Sequence, residues 1–327
     1  MKTILLFIAA FFLLYDANGQ NPKEIGLESI NIRTAESIIY FLSHDVLKGR
    51  EAGTGENGIA REYIISQLMD MGIKPMEKEG YAQQFEAYRS VGARRYKTTT
   101  RTDTVPGYTN KLSLYNILAT IEGEKTDEYI IAGAHYDHLG IGKVVDNDSI
   151  YNGADDNASG VSAVLQIAKA FALSGEKPKR TLVFAFWDGE EKGQLGSSFF
   201  VNHCKYPDKI KAYLNFDMIG RNNDESKPKH VVYLYTEAYP EFGENTRQNI
   251  QRYKLILEPE YKAWDKPVTG SDQVPFALKN IPILWYHTDG HPDYHKPGDH
   301  IDKINWQKLL NITKAAYLNT WFLANDF

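Results

Sequence analysis

Thr181-Leu-Val-Phe-Ala-Phe-Trp187 runs without a break into Asp188-Gly-Glu190-Glu191. An uncharged run of this length, rich in aromatic and branched side chains, reads as a strand covered on both faces. A half-exposed strand would alternate apolar with polar positions. Comparable runs occupy Tyr115–Ile121, Tyr129–Ala134, Ala212–Phe216, Val231–Tyr235 and Pro282–Tyr286. Between them, helical segments are predicted near Ala158–Leu173, Gly193–His203, Pro240–Tyr253, Ser271–Leu278 and Trp306–Leu323. Buried strands interleaved with helices predict an α/β fold whose sheet has helices on both sides. In open sheets of that kind, sites lie beyond the carboxyl ends of the strands. A strand that ends on paired glutamates is therefore a place to look for chemistry.

Upstream, Thr34 is read as the cap of a helix carrying Ile38, Ile39, Leu42 and Val46 and stopping at Gly49. A second helix is expected after Gly58, with Tyr63, Ile64, Leu68 and Met69 inward and Gly72 at its end. Residues 78–112, with Arg94, Arg95 and Lys97, read as a hairpin or extended excursion with too few apolar residues for a core of their own. Residues 1–19 have the form of an export signal: Lys2, the apolar stretch Ile4–Leu14, then Ala17 and Gly19 before Gln20. That stretch is shorter than the roughly 20 apolar residues needed to span a bilayer. The expectation is a signal at 1–19 and one catalytic domain at 20–327 with an N-terminal helical extension, exported to the periplasm or beyond. A net charge of -5 and a pI near 6.0 argue against a nucleic-acid surface. Cys204 is the sole cysteine, so no intrachain disulfide forms, and no activating motif surrounds it.

Five short motifs carry candidate metal ligands. Gly133-Ala-His135-Tyr-Asp137-His138 follows a strand, and Asp137 is placed to accept the second N–H of the His135 imidazole. Asn152-Gly-Ala-Asp155-Asp156-Asn157 precedes a helix that needs only one capping residue, and Asp155 is taken as the carboxylate that bridges two ions. In Glu190-Glu191 the neighbours point different ways, so one can bind metal while the other faces water. Asp217 sits inside the apolar stretch Leu214–Gly220, where a lone charge costs several kcal/mol without a cation. The last motif offers His287, His291 and His295, and the residues alone do not choose among them. Two histidines and three carboxylates suit a pair of zinc-like ions.

In order and spacing these motifs, with Leu42-Ser-His-Asp-Val-Leu-Lys-Gly-Arg50 and Gly53-Thr-Gly55 ahead of them, resemble the metallopeptidase family of bacterial leucyl-type zinc aminopeptidases. Glutamate carboxypeptidases and glutaminyl cyclases are its relatives. The resemblance implies a three-layer αβα sandwich around a mixed, mostly parallel sheet of about eight strands. It implies two zinc ions, one held by His135, Asp155 and Asp217 and the other by Asp155, Glu191 and His295. It makes Glu190 the general base and Tyr294 a group polarising the scissile carbonyl, and it implies a cis bond between Asp155 and Asp156. About 40 residues are available before the first metal motif, so no protease-associated insert is expected. Ser271-Asp-Gln273 stands where relatives often carry Ser-Asp-His.

The function so implied is hydrolysis of the N-terminal peptide bond of a peptide with a free amino terminus. Glutaminyl cyclisation on the same scaffold is the nearest alternative. It is disfavoured because Lys192-Gly-Gln-Leu-Gly196 runs on directly after the glutamates, with no Trp-bearing insertion. A carboxypeptidase would need a basic pocket, for which Arg221 is the one candidate. A decayed, non-catalytic scaffold is disfavoured because all six ligand and base positions are filled.

Overall fold

The computed structural model describes residues 21–90, 96–99, 108–266 and 268–327. The export signal expected at 1–19 and Arg94–Arg95 of the basic excursion lie outside them. The described helices are α1 (Pro22–Ser29), α2 (Ile32–Leu42), α3 (Gly55–Asp70), α4 (Gly160–Ser174), α5 (Leu195–His203), α6 (Glu241–Arg252), α7 (Gln273–Ala277) and α8 (Trp306–Asn325). The described strands are β1 (Lys74–Pro75), β2 (Ala82–Ser90), β3 (Lys97–Thr99), β4 (Tyr108–Ile121), β5 (Lys125–His135), β6 (Gly140–Val145), β7 (Asp148–Tyr151), β8 (Arg180–Trp187), β9 (Ile210–Phe216), β10 (His230–Tyr235), β11 (Glu258–Ala263) and β12 (Ile283–His287).

Ten strands share one sheet, in the order β11-β10-β12-β9-β5-β8-β4-β2-β3, with β1 beside β4. Its heart is parallel: β12 with β9, β9 with β5 and β5 with β8. Strand β11 is parallel to β10, while β10 with β12 and the whole β8-β4-β2-β3 flank are antiparallel. The expected mixed α/β sandwich is present, with ten strands in place of about eight. The additional pairing comes from β1, β2 and β3, which extend the sheet beyond β4, and from β11, a polar edge strand that presents no apolar run. Register levels the strand ends, since His135 pairs with Trp187 and Tyr286 with Phe216. The carboxyl ends of β5, β8, β9 and β12 therefore open on the same edge.

Alternation along β5 sends Ile130 and Ala132 to one face and Ile131 to the other. The first face carries the larger core, built with α1, α2, α3, α4, α6 and α8. Helix α4 buries Val161, Val164, Leu165, Ile167, Ala168 and Phe171, close to all-round burial. A helix apolar on every side is stable only between two layers, and α4 lies between the sheet and helices α1, α2 and α8. On the opposite face α5 and α7 bring Phe200, Val201 and Phe276 against Val183, Trp187, Tyr213 and Ile283. Gly133 makes that packing possible, because a Cβ there would lie 2.7 Å from the Trp187 Nε1.

Some expected boundaries move. Asn31, not Thr34, caps α2, its side chain accepting the Thr34 amide. Val46 falls in a short turn beyond α2 and is exposed, and Met69 faces solvent. Helix α3 begins at Gly55 behind the Thr54 cap, ahead of the predicted start. Among the described residues no helix is long and apolar enough to cross a membrane.

Candidate metal centre

All five motifs meet at the edge where the parallel strands end. Strand β5 delivers His135 directly, and β8 delivers Glu190 and Glu191 after a turn at Gly189. Asp217 follows β9, and the loop after β12 carries His291, Tyr294 and His295. Asn152–Ser159, between β7 and α4, comes in from the side, its backbone turned by Gly153 at φ 59°.

Asp156 sits at the centre. Its Oδ1 is 3.3 Å from His135 Nε2, which is in turn 3.6 Å from Asp217 Oδ1. Its Oδ2 is 3.2 Å from His295 Nε2, and the same nitrogen is 3.2 Å from Glu191 Oε2. The two oxygens of one carboxylate thus face two separate ligand groups. Among the described residues, the groups able to hold an ion include His135 with Asp156 and Asp217, and His138 with Asp156 and Glu191. His295 converges on the second pair of carboxylates as well.

Asp155 does not stand between the two groups. Its Oδ1 accepts the Gly220 amide at 2.6 Å, and its Oδ2 lies 3.5 Å from His291 Nε2 with no hydrogen bond among the described residues. Burial and the neighbouring Asp299 push its carboxyl up to about 8. Asp156, one residue on, takes the central position expected of Asp155. Adjacent side chains leave the backbone in different directions, and Asp156, at φ -102° and ψ 92°, departs from helical geometry and points toward the strand ends. The cis peptide is likewise Asp156–Asn157, not Asp155–Asp156.

Asp137 plays a different part from the one expected of its carboxylate. His135 Nδ1 meets the Asp137 carbonyl oxygen at 3.2 Å, and the carboxylate is 3.6 Å away. That carboxylate accepts the amides of Glu190 and Glu191 at 3.0 and 3.3 Å, fixing the turn that presents both glutamates. Asp299, buried, accepts the amides of Asp155 and Asp156 in the same way. Arg50 holds the loops from behind. Its Nε donates to Tyr136 O, its Nη1 to Leu42 O and Asn152 O, and its Nη2 to Gly153 O and Asp156 O. A guanidinium has five N–H groups, and here each meets a main-chain carbonyl. Burial lowers the Arg50 pKa to about 10, with Asp156 and Asp137 opposing, so it stays charged at neutral pH.

The centre opens on a cleft of about 590 Å³ lined by His135, Asp156, Glu190, Asp217, Tyr294 and His295, with Met218, Trp285 and His287 beyond. Glu190 Oε1 accepts the side-chain amide of Gln194 at 3.0 Å. Burial holds the Glu190 carboxyl well above its usual range, with Asp272, Glu191 and Asp217 adding and His135 opposing. Tyr294 stacks on His295 at 3.8 Å between ring centroids and is half-exposed. Among the described residues neither Lys nor Arg lines the cleft. Asp217 Oδ1 is buried with no hydrogen bond among the described residues, and Asp156, Glu190, Glu191 and Asp217 cluster with the imidazoles of His135, His138 and His295. Clustered buried carboxylates are unfavourable without compensating positive charge, and imidazole nitrogens with carboxylate oxygens are the donor set zinc takes. The residues fit zinc.

Residues 116–319 match the sequence model of peptidase family M28, more than half of the chain. The chain belongs to peptidase family M28. Relatives of this M28 chain include leupeptin-inactivating enzyme 1 of Streptomyces exfoliatus, 30% identical over 275 residues, covering 77% of this chain and 57% of that protein. Two further relatives are covered to 45% and 49%, so the chain spans about half the length of the curated relatives it matches. In fold it is similar to the LapA aminopeptidase of Legionella pneumophila (TM-score 0.68, 18% identity, 100% of this chain and 80% of that one). It is also similar to the glutaminyl cyclase of Porphyromonas gingivalis (TM-score 0.61, 17% identity, 89% of this chain and 98% of that one).

Four residues at the centre escaped the sequence reading. Asp156 stands beside the expected bridge, His138 closes the first motif, and Asp299 lies four residues beyond His295. Arg50 was seen only as part of the opening motif. No local spacing marks them, because their partners lie far along the chain, 86 positions for Arg50 with Tyr136 and 144 for Asp299 with Asp155.

Proposed function

We propose that this M28 chain is a zinc-dependent aminopeptidase that hydrolyses the N-terminal peptide bond of peptides. The observation that carries the reading is Asp156, whose two oxygens each face a separate histidine–carboxylate group beside Glu190. His135, Asp156 and Asp217 would hold one ion, and Asp156, Glu191 and His295 the other. A zinc pair supplies Lewis acidity and lowers the pKa of water at the site. Glu190, on the cleft wall, takes the proton of the attacking water and returns it to the leaving amine. Gln194 orients the Glu190 carboxylate for both transfers. Tyr294 offers its hydroxyl to the oxygen on which negative charge develops.

The choice of the amino end over the carboxyl end rests on charge. Cleft carboxylates suit a protonated α-amine, whereas a carboxypeptidase needs a cation there. Arg221 does not supply one: it is buried and its Nη2 donates to Asp293 at 2.9 Å. Glutaminyl cyclisation on the same scaffold is kept as the second reading, because a cyclase shares the fold. Export, read from the pattern of residues 1–19, belongs to the same proposal and is checked by sequencing the amino terminus of the exported protein.

The test sets fluorogenic aminoacyl substrates against glutaminyl peptides, using zinc-loaded wild-type and Glu190→Gln chains. The proposal expects hydrolysis of the first by wild type, and a rate at least about 100-fold lower in the variant with zinc content unchanged. Cyclisation without hydrolysis, or full activity in the variant, would overturn it.

A further inference from the structure

Three histidines surround the carboxylates of the centre, and they differ in which ring nitrogen faces inward. His135 and His295 both present Nε2. His135 has its Nδ1 against the Asp137 carbonyl, the arrangement of a metal-binding imidazole whose other N–H is held from behind. His138 is the reverse. Its Nδ1 lies 2.7 Å from Glu191 Oε1, while its Nε2 is buried with no hydrogen-bond partner among the described residues. Were Nδ1 to ligate a metal, the proton would move to Nε2 and leave a buried donor unsatisfied. With the proton on Nδ1, the 2.7 Å contact to Glu191 Oε1 is a hydrogen bond, which a metal on Nδ1 would remove.

We infer that His138 is a positioning residue for Glu191: its Nδ1–H holds Oε1, so that Oε2 alone faces Asp156 and His295 across the second ion position. The inference rests on the paired-ion reading above and adds to it how one of the ligands is aimed. The imidazole is itself fixed. A Cβ on Gly153 would lie 2.5 Å from the His138 Cδ2, so the loop that carries Asp156 packs flat against the ring. The His138 amide donates to Arg50 O at 3.3 Å, tying the same residue to the loop behind. The Gly133–His138 segment thereby contributes a ligand at His135, the brace of the glutamate turn at Asp137, and the aim of one glutamate at His138. A carboxylate released from such a brace rotates, and affinity for the ion it serves typically falls about 10–100-fold.

Zinc titrated into the metal-free full-length chain, against a competing chelator, reads this directly. In His138→Phe the ring is kept and the N–H lost; the second zinc is expected to loosen about 10–100-fold while the first is unchanged. In His138→Asn the side-chain amide nitrogen stands the same number of bonds from Cβ as Nδ1, so the second zinc is expected to stay near wild-type affinity. A packing role alone predicts the opposite order, since Asn leaves the larger void. Retention of the second ion by Phe, or its loss from Asn, overturns the inference. If His138→Phe does not fold, His138→Leu gives a second chain without the N–H, and the Asn result still decides. Wild-type chain that takes a single zinc fails the paired-ion reading, and the order of Asn and Phe on that one ion then tests the inference. Equal affinity in both would overturn it.

Discussion

Replacing Arg50 by lysine tests how much of the centre is held by one side chain far from it in sequence. All five guanidinium N–H groups donate to carbonyls, and three of these belong to Asn152, Gly153 and Asp156 in the loop that aims the central carboxylate. Lysine brings three N–H groups on one nitrogen, so at least two carbonyls lose their partner. Each orphaned buried acceptor costs about 1–3 kcal/mol, which sums to about 2–6 kcal/mol. Set against a total stability on the order of 5–15 kcal/mol, the variant should fold but melt lower. At about 2–4 °C per kcal/mol for chains of this order of size, Tm should fall by roughly 4–24 °C. Differential scanning calorimetry of metal-free protein measures the shift, and chelator competition measures zinc. Because three of the five carbonyls aim Asp156, affinity for both ions should fall alongside Tm. An Arg50→Lys chain that melts with wild type and binds zinc equally well would refute the argument.

Two further outcomes follow from particular side chains. Asp156→Ala should abolish tight binding of both zinc ions, whereas Asp155→Ala should retain two ions and lose the Gly220 hydrogen bond, a stability cost of about 1–3 kcal/mol read by denaturant titration. Lys308 is buried in the first turn of α8, its Nζ donating to Arg221 O at 3.1 Å, and burial lowers its pKa from 10.5 to about 8, with Asp155 opposing. Because the folded-state pKa lies below the unfolded one, the unfolded chain binds the proton more strongly between pH 8 and 10.5, and Lys308 makes stability rise with pH across that window. At neutral pH it costs about 3 kcal/mol, so Lys308→Met should stabilise by about 2 kcal/mol after loss of the hydrogen bond and should flatten the pH dependence of Tm above pH 8. A Lys308→Met chain that is less stable than wild type at pH 7 would contradict this.

Much of the fold was legible because its central strands are buried on both faces. The runs at 129–134, 181–187, 212–216 and 282–286 carry no charge, and each became a strand of the parallel heart within a few residues of the predicted bounds. What the pattern misses is exposed. The β6–β7 hairpin shows Ile141 and Val144 to solvent, and β11 reads Glu-Pro-Glu-Tyr-Lys-Ala, a composition that suits an edge and resembles a loop. In the centre, His135, Glu191, Asp217 and His295 converge because each follows a strand whose end the sequence marks. The Asp155–Asp156 choice could not be made that way. Two identical neighbours differ only in the backbone angles that aim them, and those are set by contacts with Asp299 and Arg50, distant along the chain.

The measurement that bears most directly on Asp156 as the shared ligand is anomalous diffraction at the zinc absorption edge from crystals of the zinc-soaked chain. Two peaks flanking Asp156, one beside His135 and Asp217 and one beside Glu191 and His295, are the predicted result. No peak at these side chains, or a peak coordinated by Asp155 with Asp156 turned away, would contradict it.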